Sequence, residues 1–282
     1  MRILSFNVNG IRARRHQLRA IRDTLDPDIL ALQETKVQDD DFPQDLAHSL
    51  GYHVEFYGQK SHYGVAIFSK QPPLSVEFGF PNDPPDSQRR VIIGEFTIPN
   101  SNSKSSKSKK PSQSLTVINS YFPQGASRDH PTKFPYKQQF YADMLAYINN
   151  RFKPKDQVLL VGDMNVAPSD LDIGIGTENA TRWLRTGKCA FLPEEREWLQ
   201  KLITWGFTDT FREQYPQIND RFSWFDYRSR GFEDNPRRGL RIDLILATAS
   251  LVKRCQNAAI DYAIRGLERP SDHCPVWIDL DL

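Results

Sequence analysis

Five short apolar runs in this chain each break on a polar group that can do chemistry. Asn7 follows Ile3-Leu4-Ser5-Phe6, Glu34 follows the run Ile29-Leu30-Ala31-Leu32, and Asp163 and Asn165 follow Val158-Leu159-Leu160-Val161. Asp243 follows Leu240-Arg241-Ile242, and Asp272-His273 stand before Pro275-Val276-Trp277-Ile278. Apolar runs this short read as buried strands, so these groups fall at strand ends, where α/β folds collect their ligand chemistry. Carboxylate and carboxamide oxygens suit Mg²⁺ or Mn²⁺, and a histidine beside carboxylates serves as acid, base or phosphate partner. The set has the composition of a hard-metal hydrolytic site.

Each motif taken alone has a plainer reading beside the chemical one. Glu34 in Leu32-Gln33-Glu34-Thr35-Lys36 reads as a metal ligand next to a phosphate-facing lysine, or as a carboxylate exposed in a turn. In Gly162-Asp163-Met164-Asn165, strand alternation directs Asp163 and Asn165 to one side, where together they can orient a water and a phosphoryl oxygen. The same residues also suit a turn that caps its own backbone. His273 is structural, or it is held by a carboxylate, with Asp243 the natural distant partner. Such a pair keeps the imidazolium charged, which favours stabilising a phosphorane over binding a metal. Tyr121, opening Phe122-Pro123-Gln124-Gly125, is a rim phenol or a core side chain. In Phe222-Ser223-Trp224-Phe225-Asp226-Tyr227, Phe222 and Phe225 read as core, leaving Trp224 and Tyr227 to pack on a sugar or base.

Composition sets the frame for these residues. With 39% apolar and 26% charged residues over 282 positions, the chain can bury a sizeable core, and it reads as one domain over 1–282. No apolar stretch approaches the ~20 residues of a membrane span, and Met1-Arg2 runs straight into the first strand, which argues for a cytoplasmic protein. Three cysteines without ligand spacing read as free thiols. A net charge of +2 does not by itself select nucleic acid. Basic residues do recur beside the strand ends, among them Lys36, Arg89, Arg90, Arg128, Lys133, Lys188, Arg228 and Arg241, and gathered on one face they would suit a polyanion. Dispersed solvated charge is the alternative.

The elements that must position these groups begin as alternating strand (Arg2 to Phe6), helix (Gln17 to Leu25), strand (Ile29 to Leu32) and helix (Asp45 to Leu50). Short strands follow from Tyr52 to Tyr121, then a helix from about Phe134 to Arg151 with a stripe of Phe140, Met144, Leu145 and Ile148. The second half reads as a strand from Val158 to Val161, a long loop from Met164 to Thr177 and a helix from about Glu194 to Trp205. Further strands are expected near Phe222 to Trp224, Ile242 to Ala247, Ala258 to Tyr262 and Pro275 to Leu280. The expected fold is a four-layer α/β sandwich, two packed mixed β-sheets flanked by helices. Ser101 to Ser114, with no apolar residue and four lysines, reads as a flexible surface loop, either a tolerated insertion or a contact to phosphate.

In order along the chain, the segments SFNVNGIRAR, LALQETKV, QRRVI, INSYFPQGASRDHP, VGDMNVAPSDLDIGIG, RWLRTGKCAFLPEEREWL, DRFSWFDYRSRGF, GLRIDLILA and RPSDHCPVW are similar to the exonuclease III family. These are class II abasic-site endonucleases of the endonuclease/exonuclease/phosphatase (DNase I-like) superfamily. The resemblance runs almost end to end. It implies Mg²⁺-dependent hydrolysis of the phosphodiester 5′ to abasic sites in duplex DNA, with Mn²⁺ as a substitute, together with 3′ to 5′ exonuclease and 3′-phosphatase activity by a monomer. Carried onto this chain, it makes Glu34 the principal metal ligand, with Asn7, Asn9 and Asp272 near the metal. Asp163 would activate the water or protonate the leaving oxygen, Asn165 would orient it, and His273 paired with Asp243 would bind the scissile phosphate. Tyr121 and Gln124 would contact phosphate, with Arg90 and Lys133 on the substrate, while Trp224, Phe225 and Leu240 would shape the abasic-sugar pocket. The lysine-rich loop and the stretch Asp234 to Gly239 look longer than the family pattern. A superfamily hydrolase of phosphoinositides or other small phosphodiesters is the second reading, and a non-catalytic DNA-binding module the third.

Overall fold

A computed structural model describes residues 1–98 and 113–282. Strand β1 (Arg2–Asn7), helix α1 (Arg15–Thr24), strand β2 (Ile29–Gln33) and helix α2 (Gln44–Ser49) open the chain. Strands β3 (His53–Tyr57), β4 (Val65–Ser69), β5 (Ser75–Phe78), β6 (Val91–Thr97) and β7 (Ser114–Tyr121) lead to the long helix α3 (Lys133–Arg151). Next come β8 (Val158–Asp163), α4 (Thr177–Arg185), α5 (Pro193–Gly206), β9 (Phe207–Asp209) and α6 (Thr210–Gln214). The chain closes with β10 (Asp243–Thr248), α7 (Ala249–Val252), β11 (Cys255–Ile260), α8 (Tyr262–Arg265) and β12 (Val276–Leu280).

Two mixed sheets result, with strand orders β11-β12-β1-β2-β4-β3 and β5-β6-β7-β8-β10-β9. Their facing surfaces bury Ile3, Ile29, Val117, Leu159, Val161 and Ile245 between them. Side chains of the opposite parity, Leu160, Leu244 and Leu246, pack outward with Met144 of α3 and Leu199 of α5. Leu4, Leu30 and Leu32 meet Leu18 and Ile21 of α1 and Leu46 of α2 on the far side. Helix, sheet, sheet, helix: four layers cover β1, β2, β8 and β10 on both faces, which is why their sequences are predominantly apolar between their ends, with only Ser5 interrupting β1. Burying each such leucine contributes about 1.5–3 kcal/mol, so these central strands anchor the polar residues at their ends.

Registers bring those ends to one rim. Strands β1 and β2 run parallel and stop together at Asn7 and Gln33. In the second sheet Tyr121 of β7 pairs with Asp163 of β8, and Asp163 with Asp243 of the antiparallel β10. Gly162 makes this junction: at φ 138°, a Cβ there would lie 1.9 Å from the Ser120 carbonyl oxygen. Glycine alone fits, and the strand can turn one residue later.

Several expectations are corrected. Phe222 to Trp224 is not a strand; Trp224 makes single bridges to Leu240 and His273, because the surrounding chain is irregular. Leu145 lies only partly buried beside the α3 stripe, and Tyr147 is buried in its place. The stretch 177–185 is the helix α4, left unassigned by apolar period because none of its residues is fully buried. Strand β11 starts earlier than expected, and Asp261 instead caps α8 by accepting from the Ile264 amide. Of the lysine-rich loop, 101–112 lies outside the described residues, and Ser114 already belongs to β7.

Candidate active site

At the end of β8, Asp163 is buried and collects three hydrogen bonds. Asn7 Nδ2 donates to its Oδ2 at 3.0 Å, Asn165 Nδ2 to the same oxygen at 3.1 Å, and the Asn165 amide to Oδ1 at 2.9 Å. Asn165 also donates to the Phe122 carbonyl at 2.9 Å. Asp163 and Asn165 do meet, though through a turn with Asn165 at φ 52°, so the backbone-capping contact and the side-chain pairing coexist.

Facing Asp163, the His273 ring presents Nε2 at 3.8 Å, while its Nδ1 lies 2.8 and 3.0 Å from the two Asp243 oxygens. The Ser223 hydroxyl accepts from the amides of Ile242 and Asp243 at 3.0 and 2.9 Å and fixes the start of β10. Ser271 donates to the Asn7 carbonyl at 2.7 Å, tying the histidine turn to β1. Burial opposes charge on His273, but Asp243 and Asp163 outweigh it and raise its pKa to about 10. Burial pushes Asp163 the other way from an ordinary carboxylate, up to about 7, against the lowering influence of His273. One imidazolium and one carboxyl near its titration point therefore stand side by side.

Asp163, Asp243 and His273 bring potential ligand atoms within 4.8 Å of one another, a buried acidic and histidine cluster. With Nδ1 held by Asp243 and Nε2 turned toward Asp163, the arrangement suits proton handling. A second set of oxygen donors, suited to a hard cation, lines the same cleft. Glu34 and the Asn9 carboxamide oxygen converge on the Lys36 ammonium, at 3.0 and 2.5 Å. Two oxygens already hold one cation there, and the chemistry of this donor set fits a divalent ion. Asn9 Nδ2 donates to Asp272 Oδ1 at 2.8 Å, and Trp224 Nε1 to Asp272 Oδ2 at 3.0 Å. Burial works against the Asp272 charge, but His273 and these two donors hold its pKa below the ordinary value. Asn9, Glu34 and Lys36 all have left-handed backbone, with φ between 43° and 58°. Strain of that kind, about 1–3 kcal/mol per residue, persists where the surroundings dictate the conformation.

The cleft above holds about 400 Å³. Asn9, Glu34, Tyr121, Gln124, Asp163, Asn165, Trp224, Leu240, Asp272 and His273 all line it. Burial, then Glu34 and Asp163, keep the Tyr121 phenol protonated well beyond its ordinary range. Five expected residues do not form this wall. Asn7 is fully buried beneath Asp163, and Phe225 lies among Phe222, Phe232 and Tyr262, as its core reading had it and unlike the pocket role implied by resemblance. Arg90 is buried over Tyr63 and Tyr121, at 4.1 and 4.7 Å from the ring centres, and Lys133 is exposed at the start of α3. Asp243 sits behind His273, as a partner should. Trp183, Ile242 and Asp226 line the cleft without having been singled out. Trp183 stacks on Phe191 and carries the Lys188 ammonium 3.6 Å above its ring. An aromatic inside a basic helix was the available signal, and helical spacing alone did not separate it from core.

The fold and site define a phosphodiester hydrolase with an α/β sandwich scaffold. The chain belongs to the Endonuclease/Exonuclease/phosphatase family, which it matches over residues 4–273. It is 52% identical over 283 residues to exodeoxyribonuclease III of Haemophilus influenzae, covering 99% of both chains. Among solved structures, an AP endonuclease from Archaeoglobus fulgidus superposes with a TM-score of 0.85 at 34% identity, covering 100% of each chain. The 3′ phosphatase NExo from Neisseria, bound to product DNA hairpin, does so with a TM-score of 0.84, also at 34% identity and 100% coverage. Among the described residues, no helix is long and apolar enough to cross a membrane.

Proposed function

We propose that this chain, acting as one domain over 1–282, is a DNA repair nuclease that hydrolyses the phosphodiester 5′ to abasic sites in duplex DNA. Exonuclease action from 3′ ends and removal of 3′ phosphates belong to the same site, because all three reactions hydrolyse a phosphate ester beside a deoxyribose. The observation that carries the reading is the contact of the Asp243-held His273 imidazolium with Asp163 in a cleft that carboxylate and carboxamide oxygens of Glu34 and Asn9 also line. The 52% identity to an exodeoxyribonuclease III supports the choice of DNA over small phosphodiesters.

Glu34 and Asn9 would hold the cation, with Asp272 beside them through Asn9. When bound, Mg²⁺ would supply charge neutralisation at the phosphate, with Mn²⁺ a substitute. Asp163, poised near neutrality, takes the proton of the attacking water as the P–O3′ bond breaks and the leaving 3′ oxygen takes up a proton from solvent, and Asn165 and Asn7 hold the Asp163 carboxylate in line. His273 donates from Nε2 to a phosphate oxygen and stabilises charge as it develops, while Asp243 keeps the ring oriented and charged. The protonated Tyr121 and the Gln124 amide offer further donors at the rim. Leu240 and Trp224 bound the space for a sugar without a base; Asn7 supports Asp163 from below, and Phe225 only backs this wall.

The test is incision of a duplex oligonucleotide carrying one stable abasic analogue, beside the intact duplex, with Mg²⁺ and with EDTA. Mg²⁺-dependent cutting on the 5′ side of the lesion is the expected result. Folded, metal-supplied protein that leaves the lesion intact overturns the reading.

A further inference from the structure

We propose that Lys137 is a positioning residue for this reaction: with Glu195 as its counter-ion, its buried ammonium sets the backbone of Asn165, Gln124 and the 189–192 wall. Lys137 projects from α3 and Glu195 from the first turn of α5, and both side chains are fully enclosed. An ammonium has three N–H donors. Here they reach Glu195 Oε1 at 2.5 Å, the Asn165 carbonyl at 2.8 Å and the Gln124 carbonyl at 3.3 Å. The second Glu195 oxygen accepts from the amides of Ala190 and Leu192, at 2.9 and 2.8 Å. One ion pair thus ties three separate stretches of cleft wall to two helices of the outer layer.

The arrangement is more specific than stability requires. A buried ion pair contributes little that apolar packing of equal volume would not. What apolar packing cannot do is grip two carbonyls and two amides at once. Asn165 needs that grip, because a left-handed backbone is costly for a residue other than glycine and persists only where its surroundings hold it. Gly125 beside it, at φ 88°, has no room for a Cβ: Cys189 Sγ would be 2.8 Å away and Lys137 Cδ 2.9 Å. The Cys189 amide closes the knot by donating to the Ala126 carbonyl at 3.1 Å. A shift of Lys137 therefore moves the two amide side chains that face the substrate, with no contact between Lys137 and the substrate itself.

The inference rests on the reading of Asn165 and Gln124 as active-site residues. Steady-state incision of the abasic duplex is measured for the wild type, Lys137→Met, Glu195→Gln and the core control Met144→Ala, well below each melting temperature and per folded molecule. Lys137→Met and Glu195→Gln should lose about 10- to 100-fold in kcat, the scale of a small misplacement, with KM held within about threefold. Met144→Ala, which truncates the same helix away from the cleft, should melt earlier yet keep wild-type kcat. Wild-type kcat in either ion-pair variant, or an equal kcat loss in Met144→Ala, overturns the proposal. In the wild type, NMR should also show a lysine ammonium protected from exchange and coupled to the Asn165 carbonyl; its absence overturns the proposal even if no variant folds. Failure of the wild type to incise would instead strike at the proposed function.

Discussion

Two residues apart on the run into β10, Arg241 and Asp243 enter buried charge systems of opposite character. Arg241 Nε donates to Asp172 at 2.7 Å and its Nη2 to Asp209 at 2.6 Å, while Arg212 adds a bond to Asp172 at 2.6 Å. Ser169 donates to the remaining Asp172 oxygen through both its amide and its hydroxyl. Burial works against the Asp172 charge, but the two arginines and Ser169 hold its pKa below the ordinary carboxylate range, and burial likewise opposes the Arg241 charge, yet Asp209 and Asp172 raise its pKa. Around His273 the balance differs. Asp243, Asp163 and Asp272 surround a single imidazolium, so burial, reinforced by Asp243 and only partly offset by His273, raises the Asp163 pKa. Burial is common to both systems. What separates a framework from a reactive site here is the ratio of acids to cations and the opening onto a cleft.

The largest effect expected from this contrast is catalytic. Asp163→Asn should lower turnover on abasic duplex by about 10²–10⁴-fold. In metal-free buffer at pH 7 the same variant should be more stable than the wild type. The sign follows from linkage: a carboxyl whose folded pKa is raised stabilises most below its unfolded value of about 3.9, and that advantage is lost as pH rises toward 7. Urea titrations at pH 4 and pH 7 check this, and a stability gain that does not grow between them would erase the contrast. Arg241→Met should behave the other way, losing about 3–5 kcal/mol because Asp172 and Asp209 stay buried without their partner. Its kcat per folded molecule should fall far less than that of Asp163→Asn.

A smaller effect reads the framework by pH. Asp172 has a depressed folded pKa, so its contribution is fully present above about pH 4 and disappears as pH falls through the folded value. The stability gap between wild type and Asp172→Asn should therefore narrow in acid unfolding below about pH 4, opposite to the trend at Asp163. The smallest effect belongs to the rim. Arg228, an exposed cation lining the cleft, should on change to alanine weaken duplex binding evenly across sequences and reduce the salt slope by about 1. A slope left unchanged would remove Arg228 from the phosphate contacts.

The strand-end groups were legible because burial on both faces makes strands continuous apolar runs, and the first polar residue after such a run marks the rim. That logic located Asn7, Glu34, Asp163, Asp243 and His273, and the Asp243–His273 pairing followed from charge. It went astray where local pattern has two meanings. Arg90 and Arg241 look like surface cations, yet Arg90 is covered by tyrosines and Arg241 is enclosed. Phe225 and Trp224 are neighbours in one aromatic run, and only packing sends one into the core and the other to the cleft. Lys137 and Glu195 gave no signal, since a lysine and a glutamate on helices ordinarily face water.

By itself the sequence determined the layers of the sandwich, the rim on which chemistry gathers and the oxygen-rich, histidine-bearing character of the site, because hydrophobic period and residue type are local properties. Only the tertiary structure decided which acid has its pKa raised. Asn7 reaches Asp163 across 156 residues of chain, and Asp243 reaches His273 across 30. Hydrogen bonds, desolvation and charge ratio depend on those distances in space, and no spacing along the chain encodes them.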